Sequence, residues 1–213
     1  MSKKEILRLM AGFRRFREKY FANEHPLYQR LSGAGQTPKT LIIGCSDSRV
    51  DPAIITSALP GELFIVRNVA NLVPPYERGG VHGVSAAIEF AVVNLKVENV
   101  IVLGHRQCGG IRALMLNDQD MASNSFVDNW VGIAKGAKQR VFEKYGNESE
   151  DNLCRHGELE SIVTSIQNLR TFPFVEDAIK ERDLALMGIY FDLEQGQLLE
   201  YDDKSDSFKN IEV

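Results

Sequence analysis

Two short apolar runs set the terms on which this chain can fold. Leu41-Ile42-Ile43-Gly44 and Val100-Ile101-Val102-Leu103-Gly104 are aliphatic, rich in β-branched residues and too brief for helices, so they read as buried strands. Each ends in a cluster of reactive side chains. The first delivers Cys45-Ser46-Asp47-Ser48-Arg49, and the second His105-Arg106-Gln107-Cys108-Gly109-Gly110. Open α/β sheets bind ligands just outside the carboxyl ends of their strands, so fold and chemistry point to one place.

The rest of the chain alternates around these runs. Glu5 to Tyr20 is amphipathic and basic, a helix laid on the body of the domain or on a partner subunit; a membrane-surface or targeting role is the other reading, although acidic Glu5 and Glu18 argue against a transit peptide. Leu31 to Pro38, with Gly33, Gly35 and Pro38, reads as a loop. Asp51-Pro52 has the form of a helix N-cap followed by Pro at the first helical position, and that helix stops by Pro60-Gly61. Leu63 to Val66 reads as a strand, Arg67 to Pro75 as a loop, and Val81 to Asn94 as a helix. Asn99 to Leu103 is the next strand, with a helix starting near Cys108. Phe126 to Tyr145 and Glu158 to Leu169 read as helices separated by the polar stretch Gly146 to Asn152. A short helix follows Pro173; Leu184 to Phe191 is a strand that Gln195-Gly196 turns into a last strand, Leu198 to Tyr201.

This alternation predicts an α/β fold: a mainly parallel central sheet flanked by helices, with an antiparallel edge strand and an N-terminal helical arm. No repeat, low-complexity tract or linker divides residues 1–213. At 213 residues the chain is long enough to bury a proper core. A net charge of −4 gives no nucleic-acid footprint. No apolar stretch is long enough for a bilayer and no signal-peptide pattern is present, so a membrane is not an expected partner. Three cysteines in such a chain are no disulfide framework, and a reducing, cytoplasmic setting is expected.

Cys45 from one strand end plus His105 and Cys108 from the other make three ligands, the number that holds a catalytic zinc with one position open. Cys108 lies near a helix start, where the dipole favours a thiolate. Asp47 and Arg49 are costly at a buried strand end unless paired, and an Asp–Arg pair can be bidentate. One reading of that pair is a structural salt bridge. The other follows from charge: two thiolates and a neutral His leave Zn²⁺ with no net charge, so it acidifies water less than a zinc held by three histidines. A carboxylate kept ionised by Arg49 can then orient the water, or Asp47 can swing onto zinc as a fourth ligand and close the site. His25, His82 and His156 read as exposed, and Cys154-Arg155-His156 is a weak pattern for a second metal.

At these residues the sequence resembles the β-class carbonic anhydrases. Cys45-Ser46-Asp47-Ser48-Arg49 and His105-x-x-Cys108-Gly109-Gly110 look like that family's signature, and Arg67-Asn68-Val69-Ala70-Asn71-Leu72-Val73-Pro74-Pro75 resembles its plant-type branch. The resemblance implies a single domain over 1–213, with residues 1–30 an arm packed on a partner subunit. It implies one zinc per subunit on Cys45, His105 and Cys108, and a catalytic dyad of Asp47 and Arg49. Gln36, in Gly35-Gln36-Thr37-Pro38-Lys39, would hydrogen-bond substrate across a dimer interface. Phe64, Val69, Phe90 and Gly109 match positions lining the substrate pocket, although ordinary core packing is the other reading of the three apolar residues. Phe90 stands where that branch often has Tyr. Ile42 stands where bicarbonate-regulated branches carry Trp, so that regulatory pocket is not expected. Arg106 replaces a commonly small residue and would simply point to solvent. The implied reaction is reversible hydration of CO₂ to bicarbonate and a proton by zinc-bound hydroxide, in a homodimer or higher even oligomer. Two other functions remain at this level: a related zinc hydrolase acting on another small linear molecule such as carbon disulfide, and a non-catalytic zinc-binding scaffold.

Overall fold

The computed structural model describes residues 2–21, 26–116 and 125–212. They fall into two compact units, Met1–Thr37 and Pro38–Val213. The first holds helices α1 (Ser2–Phe21) and α2 (Pro26–Ala34). α1 is the amphipathic helix expected from Glu5 to Tyr20. The two helices join through rings: Tyr28 of α2 lies 4.8 Å from Phe21 and 5.4 Å from Phe16, centroid to centroid. The loop expected from Leu31 begins only after Ala34. Gly33 is carried in the last helical turn, and Gly35, at φ 76°, ends the helix with its N–H donating to the carbonyl of Leu31. His25 lies outside the described residues.

The second unit runs β1 (Thr40–Cys45), α3 (Pro52–Ile55), β2 (Leu63–Asn68), α4 (Gly83–Glu89), β3 (Asn99–His105), α5 (Gly109–Leu116), α6 (Phe126–Val131), α7 (Lys135–Tyr145), α8 (Glu150–Leu169), α9 (Pro173–Arg182), β4 (Ala185–Asp192), β5 (Gln197–Asp202) and β6 (Ser207–Asn210). Asp51 caps α3 as expected, its Oδ1 accepting from the N–H of Ala53 at 3.0 Å, with Pro52 at the start. α4 continues through a π-helical turn, Phe90–Asn94. The continuous helix expected from Phe126 to Tyr145 is broken by a 3₁₀ turn at Gly132–Ala134. α8 starts eight residues earlier than the apolar pattern suggested, because its first turns are polar: Ser149 caps it and Glu150 and Asp151 sit where the helix dipole favours acid. β6 was not anticipated; four residues near the end of the sequence carry too little pattern.

The described strands form one sheet in the order β2-β1-β3-β4-β5-β6. The β2–β1, β1–β3 and β3–β4 pairs are parallel, and β5 and β6 add an antiparallel edge. β1 is followed by β2 on one side and β3 on the other, so the chain changes direction between β1 and β3. A crevice forms at such a point beyond the strand ends. Cys45 is the last residue of β1 and His105 the last of β3.

The main core lies on one sheet face, where Leu41, Ile43, Val100, Val102 and Tyr190 pack against Ile88, Ile162, Ile166, Leu169 and Val175 from the helices. Two glycines set how closely α8 approaches. A Cβ on Gly104 would lie 2.6 Å from Ile162 Cδ1, and one on Gly188 would lie 2.8 Å from Ile162 Cγ2. A larger residue at either place would have to displace the Ile162 side chain, so α8 packs close against β3 and β4 here.

Candidate metal centre

Neighbouring parallel strands bring the three predicted ligands together. The ligand atoms of Cys45, His105 and Cys108 all lie within 4.8 Å of one another, and all three residues are buried. The two sulfurs are 3.9 Å apart. Two thiolates at about 2.3 Å from a tetrahedral zinc stand roughly 3.8 Å apart, so the spacing suits that ion. His105 Nδ1–H donates to the carbonyl of Arg106 at 2.8 Å, which fixes the tautomer with a lone pair on Nε2. Nε2 is buried and has no hydrogen-bond partner among the described residues. A buried, unpartnered acceptor facing two sulfurs is a ligand set that wants a cation.

Charge tells the same story. The Cys108 thiol beside it pulls the Cys45 thiol down to about 4, with burial opposing. The same thiolate, together with burial, pushes Cys108 up. Two thiolates at this distance need a positive ion between them, and Zn²⁺ accepts two sulfurs and an imidazole. The residues therefore fit the metal that the sequence implied.

Asp47 and Arg49 form the expected pair. Arg49 Nε and Nη2 donate to Oδ1 and Oδ2 of Asp47 at 3.0 and 2.7 Å, and the Arg49 main-chain N–H adds a third bond at 2.9 Å. The guanidinium holds the Asp47 carboxyl well below the usual carboxylate range. Both carboxylate oxygens are thus occupied by Arg49, and Asp47 stands outside the three-ligand cluster. The loop that carries the pair is clamped by Arg67. Its Nε donates to the carbonyl of Cys45 at 2.9 Å, its Nη2 to the carbonyl of Asp47 at 2.6 Å, and its Nη1 to Asp51 at 3.0 Å.

The other predicted residues divide. Phe64 and Phe90 pack together, ring centroids 5.8 Å apart, and Phe90 remains 44% exposed. Val69 lies against Gly110, where a Cβ would come within 2.7 Å of its Cγ1. It also lines a cavity of about 360 Å³ with Asn68, His82 and Trp130. The indole Nε1–H of Trp130 donates to the Val69 carbonyl at 2.7 Å and so fixes this turn. Gly109 opens α5, and a Cβ there would meet nothing within 4 Å. Gln36 is exposed and belongs to the unit Met1–Thr37. Of the other histidines, His156 stacks on Tyr145 and lies 3.3 Å from Glu148.

One expectation fails. Arg106 does not point to solvent: its side chain is 8% exposed and is ringed by Asp151, by Glu158 at 3.9 Å and by Glu194 at 3.7 Å. Three carboxylates supplied by α8 and the turn after β4 make an inward guanidinium favourable. Glu158 itself went unnoticed in the sequence. It is 2% exposed, its Oε1 accepts the Cys108 N–H at 3.0 Å, and its Oε2 accepts the Tyr190 hydroxyl at 2.8 Å. Burial pushes its carboxyl up. A signal existed: Cys154, Glu158, Ile162, Ser165 and Leu169 share a helical stripe, and an acid on such a stripe is there for a partner.

Comparison with known proteins agrees with this geometry. The family model for carbonic anhydrase matches residues 40–198. β-Carbonic anhydrase 5 of Arabidopsis thaliana, described as chloroplastic, is 41% identical over 179 residues, which is 84% of this chain; the match spans 59% of that relative's length. The structure of the β-carbonic anhydrase CcaA is similar with a TM-score of 0.91 and 34% identity, covering 99% of this chain and 93% of that one. Tetrameric β-carbonic anhydrases of Sordaria macrospora include a structure similar at a TM-score of 0.76 and 28% identity, covering 93% of this chain and 94% of the other.

Proposed function

This chain belongs to the β-carbonic anhydrase family, and from that premise we propose that it catalyses the reversible hydration of CO₂ to bicarbonate and a proton. The observation that carries the proposal is the union of two groups at the carboxyl ends of β1 and β3: three mutually close ligands with an unpartnered His105 Nε2, and an Asp47 whose both oxygens are held by Arg49.

Cys45, His105 and Cys108 would hold zinc, which would supply Lewis acidity able to make water reactive near neutral pH. Asp47, kept ionised by Arg49, accepts a hydrogen bond from the reacting water and orients its lone pair. Both Asp47 oxygens already bind Arg49 donors, so the carboxylate is fixed before substrate arrives. Phe64, Phe90 and Val69 offer apolar surface to a small apolar molecule, and Gly109 leaves space at the start of α5. Gln36 is our candidate for a donor to substrate oxygen supplied across a dimer interface.

We further propose a homodimer or a higher even oligomer, supported by tetrameric relatives and by the apolar stripe of α1, where Leu7, Leu9, Met10 and Phe13 are each more than half exposed. In this reading residues 1–213 act as one domain whose helical arm packs on a partner subunit. A cytoplasmic location is proposed on the three free cysteines, which suit a reducing compartment; cell fractionation tests it. For the activity, stopped-flow CO₂ hydration by zinc-loaded protein is the test. A rate well above buffer that disappears on removing zinc is expected, and a rate equal to buffer in fully loaded protein would overturn the proposal.

A further inference from the structure

The metal ligands and the dyad leave one string of polar side chains without a task. Gln107 lies between His105 and Cys108 with φ 59°, a left-handed conformation that a residue with a Cβ keeps only when its surroundings hold it. Its partners stand on two sides. Its Oε1 accepts from Nη1 of Arg49 at 3.2 Å, and its main-chain carbonyl accepts from Nη2 at 3.1 Å. Its Nε2 donates to Oε1 of Glu194 at 2.5 Å. The second oxygen of Glu194 is 3.7 Å from Nε of the buried Arg106. Glu194 is aimed by the turn after β4, where Oδ1 of Asp192 accepts from the main-chain N–H of Glu194 at 3.0 Å and of Gln195 at 3.2 Å.

The chemistry allows only one polarity along this string. Arg49 has only donors and Glu194 only acceptors, so the amide between them must turn its oxygen to the guanidinium and its nitrogen to the carboxylate. Each bond then polarises the next. Nη2 of Arg49 serves Asp47 and the Gln107 carbonyl together, while Nε and Nη1 serve one each. A guanidinium tied at three nitrogens cannot rotate away from Asp47 without breaking bonds on both sides.

We propose that Glu194, acting through Gln107, is a positioning residue that sets how firmly Arg49 grips Asp47. The kinetic side of this inference rests on the CO₂-hydration reading; the structural side does not. Asp47 stands two residues from the ligand Cys45, and Arg67 ties the carbonyls of both, so a loosened dyad is felt at a metal ligand.

A double-mutant cycle tests the proposal, using Glu194→Ala and Gln107→Ala singly and together, with Glu194→Gln as the conservative variant. It is read by steady-state CO₂ hydration and by the visible spectrum of the cobalt-substituted protein, which needs no turnover. Glu194 is on a turn, its side chain is 47% exposed, and Asp151 and Glu158 still face Arg106 without it, so its removal is expected to leave the fold intact. Each alanine variant is expected to lose roughly tenfold in kcat at full metal content, with the double variant no worse than the weaker single. Glu194→Gln is expected to retain most of the rate, since its amide oxygen can still accept from Gln107. Both alanine variants are expected to shift the cobalt spectrum in the same way. Losses that multiply independently, or a Glu194→Ala protein with wild-type rate and spectrum, would overturn the proposal. If the wild type hydrates no CO₂, the activity reading fails, and the cobalt spectra still decide: a shared shift supports the relay, and an unshifted Glu194→Ala spectrum refutes it.

Discussion

Arg106 and Gln107, the two residues between His105 and Cys108, differ in burial but share Glu194. Arg106 is buried on Glu158, Asp151 and Glu194, while Gln107 is exposed and bonded to Arg49. The left-handed turn at Gln107 lets one short loop serve both the metal and the dyad. The Asp47–Arg49 pair was legible in the sequence as a short-range pattern at one strand end, and the ligand triad because Cys45 and His105-x-x-Cys108 each follow an apolar strand run. Gln107, Arg67 and Glu194 were not, because their roles depend on contacts 16 to 87 residues apart in sequence. Cys45→Ser or His105→Ala is expected to remove the metal, read as zinc per chain after dialysis. Arg49→Ala is expected to keep its zinc and lose CO₂ hydration by roughly a hundredfold or more, because nothing then holds the Asp47 carboxylate in place.

α8 is the element on which the site rests. It packs on the sheet through Ile162 against Gly104 and Gly188, and one turn earlier it delivers Glu158 to the Cys108 N–H and the Tyr190 hydroxyl. Gly104→Ala forces that contact apart and is expected to cost about 1–3 kcal/mol, measured by urea unfolding of the zinc-loaded protein. Glu158→Ala leaves the Cys108 N–H and the Tyr190 hydroxyl without their acceptor and takes one of three carboxylates from the buried Arg106, with an expected cost of about 3–5 kcal/mol. Glu158→Gln keeps an acceptor and is expected to cost less. The sequence placed β1 to β5 and most helices correctly, since apolar period and turn residues are local signals. It did not anticipate α2 or the first two turns of α8, where capping and polar composition outweigh the apolar pattern.

At the scale of the molecule, the sheet order places the β1 and β3 ends side by side, and the metal centre follows from that topology. Assembly is the level the sequence speaks to least, because an interface depends on which exposed apolar residues lie together in space. Ile54, Leu59, Phe90 and Val93 are exposed, as is the stripe on α1, and light scattering on the zinc-loaded protein is expected to give a dimer or a larger even assembly. The proposed activity depends on Asp47 acting beside a zinc held by Cys45, His105 and Cys108. The most direct measurement is stopped-flow CO₂ hydration by wild type and Asp47→Ala, with zinc counted on the same samples. The expected result is fast hydration by the wild type and a rate lower by roughly a hundredfold or more in Asp47→Ala, with one zinc per chain in both. Equal rates at equal zinc content would contradict it.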